Sequence, residues 1–136
     1  MIWNYLTPGI PDELFERSEI VPITKEDIRS IVLSKLRLRK NYSVIDVGCG
    51  SGSITVEICL QVNSKKVYAI DLDKNAIDLT RKNLDKFGVS ANLIHSKAEE
   101  VLPSLPTVDA IIVGGTKGKT EKIIELCISK LKKDGR

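Results

Sequence analysis

Three glycines at alternating positions, Gly48, Gly50 and Gly52, are the residues of this chain most suggestive of chemistry. They follow the apolar run Val44–Val47, which is typical of a buried strand, and a helical register starts directly after them. Because glycine has no Cβ, such a turn lets the backbone approach a ligand, and the helix start adds free N–H groups. Asp46 lies within the strand, where a carboxylate needs a hydrogen-bond partner. The stretch predicts a nucleotide-type cofactor site.

The elements around this stretch alternate between strands and helices. After an irregular segment, residues 1–23, which contains three prolines, residues 24–136 are predicted to form one α/β domain. Alternation of this kind predicts a parallel sheet with helices on both faces, joined by right-handed crossovers. Strands are predicted at 44–47, 66–70, 92–95 and 110–113, and helices at 24–36, 51–62, 74–87, 98–102 and 120–131.

Two of these helices carry apolar patterns from which we predict a buried side. In the first helix, Thr24 is predicted to be the N-cap and Asp27 to complete a capping box. The residues predicted to face inward are Ile28, Ile31, Val32 and Leu36 in the first helix, and Ile123, Ile124, Cys127, Ile128 and Leu131 in the last.

Ligands of parallel sheets bind beyond the carboxyl ends of the strands, where the strand order reverses. The four predicted ends carry Gly48–Gly52, Asp71, the run from His95 to Ala98, and Gly114–Thr116. A carboxylate such as Asp71 can accept two hydrogen bonds from a ribose diol. The alternative for Asp71 is a part in capping the next helix beside Asp73.

The spacing of the glycines favours one cofactor class over two others. A dinucleotide fingerprint needs G-x-G-x-x-G, whereas Ser53 stands where its last glycine would be, so an NAD-dependent oxidoreductase is disfavoured. Asp46 would also lie close to a pyrophosphate, but it suits an ammonium group such as the methionine end of S-adenosylmethionine. The loop Gly114–Thr120 ends in Gly-Lys-Thr, yet three residues separate Gly114 from Gly118, where a P-loop needs four.

The motif Val-Ile-Asp-Val-Gly-Cys-Gly-Ser-Gly, followed by Val-Tyr-Ala-Ile-Asp, resembles the Rossmann-like class I S-adenosylmethionine-dependent methyltransferases. The upstream blocks from Ile10 to Phe15 and from Val21 to Arg29, with Val113–Thr116, are similar to one subfamily, the decarboxylating cobalt-precorrin-6B C15-methyltransferases of cobalamin biosynthesis. The subfamily usually has Gly-Asp where this chain has Ser96-Lys97, so a side-chain contact to adenine is not expected here. The resemblance implies that the cofactor is contacted by Thr24, Gly48, Cys49, Gly50, Ser51, Gly52, Asp71 and the backbone of Ala98.

The same resemblance implies a substrate and a reaction. The substrate would be a reduced, cobalt-bearing tetrapyrrole with many carboxylates, methylated at carbon 15 with loss of carbon dioxide to give cobalt-precorrin-7. A cytoplasmic enzyme, assembled as a homotetramer, is implied as well. The side chains of Arg17, Lys25, Arg29, Lys117 and Lys119 would either meet those carboxylates or be solvated surface charge.

Two other functions remain open at this point. An RNA methyltransferase is compatible with the mild net charge of +3, although the fourth strand ends in Gly-Gly-Thr and aromatic residues make up only 4%. The second open function is that of a fragment that binds the cofactor and does no chemistry. His95, the single histidine, is expected to be a polar residue at a strand end, and no residue is assigned to catalysis.

Composition argues against a membrane span and a cysteine metal site, and the number of strands raises one question about the sheet. Hydrophobic residues make up 42% of the 136-residue chain, but no apolar run reaches the roughly 20 residues of a membrane span. The three cysteines lack metal-ligand spacing and are expected to be reduced. Because methyltransferases of this class have seven strands, we expect that the chain is truncated after the fourth, or that a partner completes the sheet. Strand 110–113 would then be an uncovered edge.

Overall fold

A computed structural model describes residues 2–63 and 65–136, so that Met1, the first residue of the predicted irregular segment 1–23, lies outside the described residues. In this part of the chain four parallel strands form one sheet in the order β3-β2-β1-β4. The strands are β1 (Val44–Val47), β2 (Val67–Asp71), β3 (Asn92–His95) and β4 (Ala110–Val113). The helices are α1 (Glu26–Leu36), α2 (Ser53–Gln61), α3 (Lys74–Phe87), α4 (Ala98–Val101) and α5 (Thr120–Lys130), with 3-10 turns at Asp12–Leu14 and Leu102–Ser104.

Helices cover both faces of the sheet, as the alternation predicted. Strand residues alternate between the two sides, so Val44 packs with α1 and α2 while Ile45 packs with α5 and the turn Leu102–Ser104. Helix α3 packs beside α2 through Phe87 and Leu84. The strand register places Val47 opposite both Ile70 and Val113, so these strand ends meet at one edge of the sheet.

The order in which the chain adds strands to the sheet reverses at β1. From β1 it steps to β2 and then β3 on one side, and it returns to place β4 on the other side of β1. The carboxyl end of β1 is therefore the switch point at which ligands of open α/β sheets bind. The glycine-rich turn lies directly at this point.

The predicted buried stripes of α1 and α5 are partly wrong. Ile28 and Ile31 are each 57% exposed, and the buried residues of α1 include the charged Arg29. Arg29 is buried because carboxylates and carbonyls surround it, which an apolar count cannot detect. In α5, Ile123 and Cys127 are buried as predicted, whereas Ile124 and Ile128 are exposed, because only one narrow side of this helix meets the sheet.

The predicted start of the first helix is also wrong. Helix α1 begins at Glu26, its N-cap is Lys25, and no side chain makes the capping bond. Thr24 does not cap the helix because it still belongs to the segment before it. The carbonyl oxygen of Thr24 accepts a hydrogen bond from Arg29.

The outer edge of β4 is partly covered by the last residues of the chain. The N–H of Ile111 donates to the carbonyl of Arg136 (2.8 Å), and the N–H of Arg136 donates to the carbonyl of Asp109 (3.1 Å). A parallel bridge joins Val108 and Leu131. The expectation of an uncovered edge is therefore wrong for the first half of β4, because residues 131–136 turn back along it. None of the described helices is long and apolar enough to cross a membrane.

Candidate functional site

A cavity of about 370 Å³ opens at the carboxyl edge of the sheet, within the size range of small-molecule sites. Its walls come from the ends of β1 and β2, the start of α4, the loop after β4, and the N-terminal segment. It therefore lies at the predicted switch point. The lining residues that bear on function are Val21, Pro22, Gly48, Gly50, Asp71, Lys97, Ala98, Gly115, Lys117 and Lys119.

The loops after β1 and β4 meet through their backbones. Gly48 has a φ of 76°, and a Cβ at this position would lie 2.7 Å from the backbone nitrogen of Gly115. A Cβ on Gly114 would lie 3.0 Å from the carbonyl oxygen of Gly48. Any side chain at Gly48 would therefore clash. This contact gives Gly114 a packing role that has no need of a bound phosphate.

Helix α3 supports the glycine turn from behind. Gly52 has a φ of 82°, and a Cβ there would lie 2.8 Å from atoms of Thr80. The Thr80 hydroxyl donates to the carbonyl of Gly50 (3.0 Å), and the Asn83 amide donates to the carbonyl of Ser51 (2.8 Å). Thr80 and Asn83 were missed in the sequence. A possible signal is that both interrupt the apolar side of a strongly amphipathic helix.

Asp71 joins the end of β2 to the glycine turn. Its Oδ2 accepts the N–H of Gly50 (2.9 Å), and its Oδ1 accepts the N–H of Asp73 (2.9 Å). The N-cap of α3 is Asp73, whose side chain accepts the N–H of Asn75 (2.9 Å). The capping role thus belongs to Asp73, while the Asp71 carboxylate lines the cavity.

Asp46 is buried beneath the glycine turn, with 1% of its surface exposed. Its Oδ2 accepts a hydrogen bond from the Thr55 hydroxyl (2.6 Å) in the first turns of α2. Burial raises the pKa of Asp46 to about 6; the Thr55 hydrogen bond opposes this rise, and the charge of Asp71 adds to it. Among the described residues, Asp46 is not one of those that line the cavity. The hydrogen-bond partner of its carboxylate is Thr55.

Cys49 is a buried thiol within the glycine turn. Burial, with a further contribution from the charge of Asp46, raises the pKa of Cys49 to about 12. The Thr80 hydroxyl lies 3.4 Å from its sulfur. Cys49 is therefore a neutral, packed side chain at physiological pH.

The structure separates the eight predicted cofactor contacts into two groups. Gly48, Gly50, Asp71 and Ala98 line the cavity. Cys49, Ser51 and Gly52 belong to the turn but are buried and do not line the cavity, and Thr24 follows two residues after the lining residue Pro22. The contacts themselves stay predictions for all eight residues.

The cavity is lined by three acidic side chains, those of Asp71, Asp73 and Glu99, and by three basic ones. Lys97, Lys117 and Lys119 line it, and all three are exposed. Arg29, for which the sequence left open a contact with substrate carboxylates or a solvated surface position, is fully buried and bound to Glu57 and Asp12, so both alternatives are excluded. His95 is exposed, and its Nε2 lies 2.9 Å from the carbonyl oxygen of Leu72, as expected of a polar strand-end residue.

Comparison with known proteins identifies the family. The model of the family described as "Precorrin methyltransferase domain" matches residues 13–136. A relative from Saccharolobus solfataricus, named "Probable cobalt-precorrin-6B C(15)-methyltransferase (decarboxylating)", is 50% identical over 140 residues, covering 100% of this chain and 70% of the relative. A relative of the same name from Pyrobaculum calidifontis is 48% identical over 136 residues, covering 98% and 70%.

A solved structure supports the same assignment. The precorrin 8W decarboxylase from Methanobacterium thermoautotrophicum superposes with a TM-score of 0.88 at 35% identity, covering 93% of this chain and 68% of that protein. This chain is thus shorter than the relatives it matches. Its sequence and its sheet both place it among methyltransferases of the Rossmann-like class, and it belongs to the precorrin methyltransferase domain family.

Proposed function

We propose that this chain binds S-adenosylmethionine in the cavity at the carboxyl edge of the sheet. The observation that carries the proposal is the meeting of Gly48, Gly50 and Asp71 in one cavity at the switch point of the sheet. We further propose that the reaction is C15-methylation with decarboxylation of cobalt-precorrin-6B. The names of the curated relatives, which are about half identical to this chain, support that substrate.

The residues present fit such a cofactor. Each oxygen of Asp71 accepts one backbone N–H, and an ionised carboxylate has about four acceptor sites, so capacity remains for the two ribose hydroxyls. The glycine turn offers backbone without side chains to the methionine part. Ala98, at the start of α4, offers its backbone to the adenine. The contacts of Thr24, Cys49, Ser51 and Gly52 are proposed from the family resemblance.

The chemistry divides between cofactor and protein. S-adenosylmethionine, when bound, supplies an electrophilic methyl group, and the protein aligns the acceptor and excludes water. Lys97, Lys117 and Lys119 at the mouth of the cavity are the side chains of this chain that would attract the carboxylates of a tetrapyrrole. Lysines would attract the phosphates of RNA as well, so the names of the curated relatives are what favours the tetrapyrrole over RNA as substrate. A cytoplasmic homotetramer is proposed from the resemblance.

Calorimetric titration with S-adenosylhomocysteine tests the cofactor, with NAD and Mg-ATP as controls. We expect micromolar binding of S-adenosylhomocysteine alone. A ligand lacking both ribose hydroxyls makes the test specific for Asp71: its affinity should fall relative to S-adenosylhomocysteine in the wild-type chain, and much less so in Asp71→Ala. A similar loss in both proteins would contradict the role of Asp71. Binding of Mg-ATP instead would contradict the cofactor and direct attention to Gly114–Thr120.

Turnover separates an enzyme from a cofactor-binding fragment. The chain is incubated with S-adenosylmethionine and cobalt-precorrin-6B, and the product is examined by mass spectrometry. Gain of one methyl group with loss of carbon dioxide is the expected result. Cofactor binding without any product would support the fragment that binds and does no chemistry.

A further inference from the structure

The N-terminal strap, defined as residues 9–24, forms one wall of the cavity without belonging to the sheet. Within these residues the structure describes a single regular element, the 3-10 turn Asp12–Leu14, so no strand ladder holds the strap in place. Val21 and Pro22 nevertheless line the cavity, and a Cβ on Gly50 would lie 3.5 Å from the carbonyl oxygen of Pro22. Side chains from the helices must therefore fix the strap against the glycine turn.

Arg29 of α1 binds both ends of the strap. Its guanidinium is fully buried, and its Nη1 lies 3.0 Å from Asp12 Oδ1 near the start of the strap. The same guanidinium donates to the carbonyl of Ile10 and to that of Thr24 at the end of the strap. The ring of Phe15 lies 4.8 Å from the guanidinium carbon. One side chain thus closes the strap into a loop.

Glu57 connects this loop to the helix that begins at the glycine turn. Its Oε2 accepts from Arg29 Nε (2.5 Å), and its Oε1 accepts from the N–H of Gly9 (2.8 Å). Glu57 belongs to α2, which starts directly after Gly52. Burying such charges is costly, and apolar residues often stabilise a fold equally well, so stability alone does not account for the cluster.

Asn83 makes a second attachment, from the strap to the glycine turn itself. Its amide Nδ2 donates both to the carbonyl of Glu16 in the strap (3.0 Å) and to that of Ser51 in the turn (2.8 Å). Its Oδ1 accepts the N–H of Glu16 (2.7 Å). Strap and turn therefore share one fully buried side chain.

We propose that Arg29, with its partner Asp12, and Asn83 are positioning residues that hold the strap as a wall of the cofactor cavity. If the strap closes the site, the apparent dissociation constant rises in proportion as the closed fraction falls. By linkage, a bound ligand must hold the strap closed to the same degree. The inference rests on the proposed function, since it takes S-adenosylhomocysteine as the ligand.

Asp12→Ala is the test variant, because it removes one partner of Arg29 and leaves Glu57 in place. Two quantities are measured: the dissociation constant of S-adenosylhomocysteine, and the rate of tryptic cleavage after Arg17, an exposed residue of the strap. Loss of a hydrogen bond to a charged group shifts the equilibrium of the strap about tenfold toward the open form, so cleavage should be about tenfold faster, and the dissociation constant should rise by the factor by which the closed fraction falls. S-adenosylhomocysteine should slow cleavage after Arg17 in the wild-type chain.

Three further variants keep the result interpretable. Asp12→Asn retains an oxygen acceptor for Arg29 and should bind within about twofold of wild type. Lys86→Ala removes the exposed ion pair between Glu16 and Lys86 and should change neither quantity, because it leaves Asn83 and the residues beside the cleavage site unchanged. Asn83→Ala should act in the same direction as Asp12→Ala, and it serves as the test should Asp12→Ala fail to fold.

The outcomes separate this inference from the proposed function. If the wild-type chain does not bind S-adenosylhomocysteine, the proposed function is overturned, and the inference with it. If the wild-type chain binds, but saturating S-adenosylhomocysteine slows cleavage after Arg17 neither in the wild-type chain nor in a folded Asp12→Ala or Asn83→Ala variant, the inference alone is overturned. Faster cleavage that S-adenosylhomocysteine suppresses, with binding weakened as the closed fraction falls and both restored in Asp12→Asn, supports it.

Discussion

The cavity has two sides that are built by different means. On the sheet side, backbone contacts hold the glycine turn: the N–H of Gly48 donates to the carbonyl of Ile70 (2.8 Å), and Gly48 approaches Gly115 closely. On the strap side, residues 9–24 make no ladder, and buried polar side chains of three helices hold them. The sheet side thus has backbone hydrogen bonds in addition to the side-chain contacts of Asp71, Thr80 and Asn83, while the strap is attached through side chains that single substitutions can remove.

The two sides also differ in how their buried charged side chains are compensated. Arg29 on the strap side is compensated by Asp12 and Glu57, and every one of its nitrogen atoms has an acceptor. Asp46 on the sheet side accepts a side-chain hydrogen bond from Thr55, and burial has the largest influence on its pKa. The strap should therefore be sensitive to loss of a charge partner, and the sheet side to the ionisation of Asp46.

The largest effect is expected from Glu57→Ala. This change leaves Arg29 buried with less compensation and removes the acceptor of the Gly9 N–H, which should lower the free energy of unfolding by about 3–5 kcal/mol. Urea unfolding measures the change.

Two controls accompany this variant. Glu57→Gln keeps the volume and one of the two acceptor oxygens, so it should lose less than Glu57→Ala. Asp78→Ala removes an exposed ion pair with Lys74 and should leave the unfolding curve in place. If Glu57→Ala unfolds at the same urea concentration as wild type, the strap does not depend on this cluster.

The next effect, on the sheet side, is expected from Gly48→Ala. The added methyl group would lie within 3 Å of Gly115 at a left-handed φ, which should cost about 3 kcal/mol and abolish binding of S-adenosylhomocysteine. Gly88→Ala is the matched control, because Gly88 has a similar φ of 67° but nothing within 4 Å of the added methyl. Its cost should be about 1–2 kcal/mol, with binding unchanged. Equal costs in the two variants would show that the two loops separate easily.

The sheet side was predictable from the sequence because its signals are local. The apolar run before Gly48 and the stop at Gly88 gave β1 and the end of α3 where the structure has them. The carboxyl ends of parallel strands then had to meet at one edge, which placed Asp71 beside the glycine turn. The periodicity of apolar residues and the residue types found in turns suffice to predict such elements, because both depend on residues that are neighbours in the sequence.

The strap side was not predictable, because its contacts join residues far apart in the chain. The strap was predicted as irregular, but nothing in its own composition shows that Arg29, Glu57 and Asn83 hold it. Apolar counting also assigned Ile28 and Ile31 to the core, where Arg29 lies instead. One signal was available: Glu57 is the one charged residue of α2 and lies between Val56 and Ile58, which indicates a buried partner.

The smallest of the three effects concerns Asp46 and depends on pH. Burial raises the pKa of Asp46 to about 6 in the folded chain, above its value of 3.8 when unfolded. The folded state therefore binds the proton more tightly, so this contribution to stability is complete below pH 3.8 and is lost as pH rises through 6. Its full size is about 2–3 kcal/mol.

The substitution Asp46→Asn isolates this contribution to stability, because the asparagine is neutral at every pH and its amide oxygen can accept a hydrogen bond from Thr55. The free energy of unfolding of both proteins is measured by urea between pH 4 and pH 7, and the difference is taken at each pH. The wild-type chain should lose about 2–3 kcal/mol relative to the variant as pH rises, while the other titrating groups cancel. Parallel curves would show that Asp46 is already compensated when ionised. The contrast with the paired charges of the strap would then disappear.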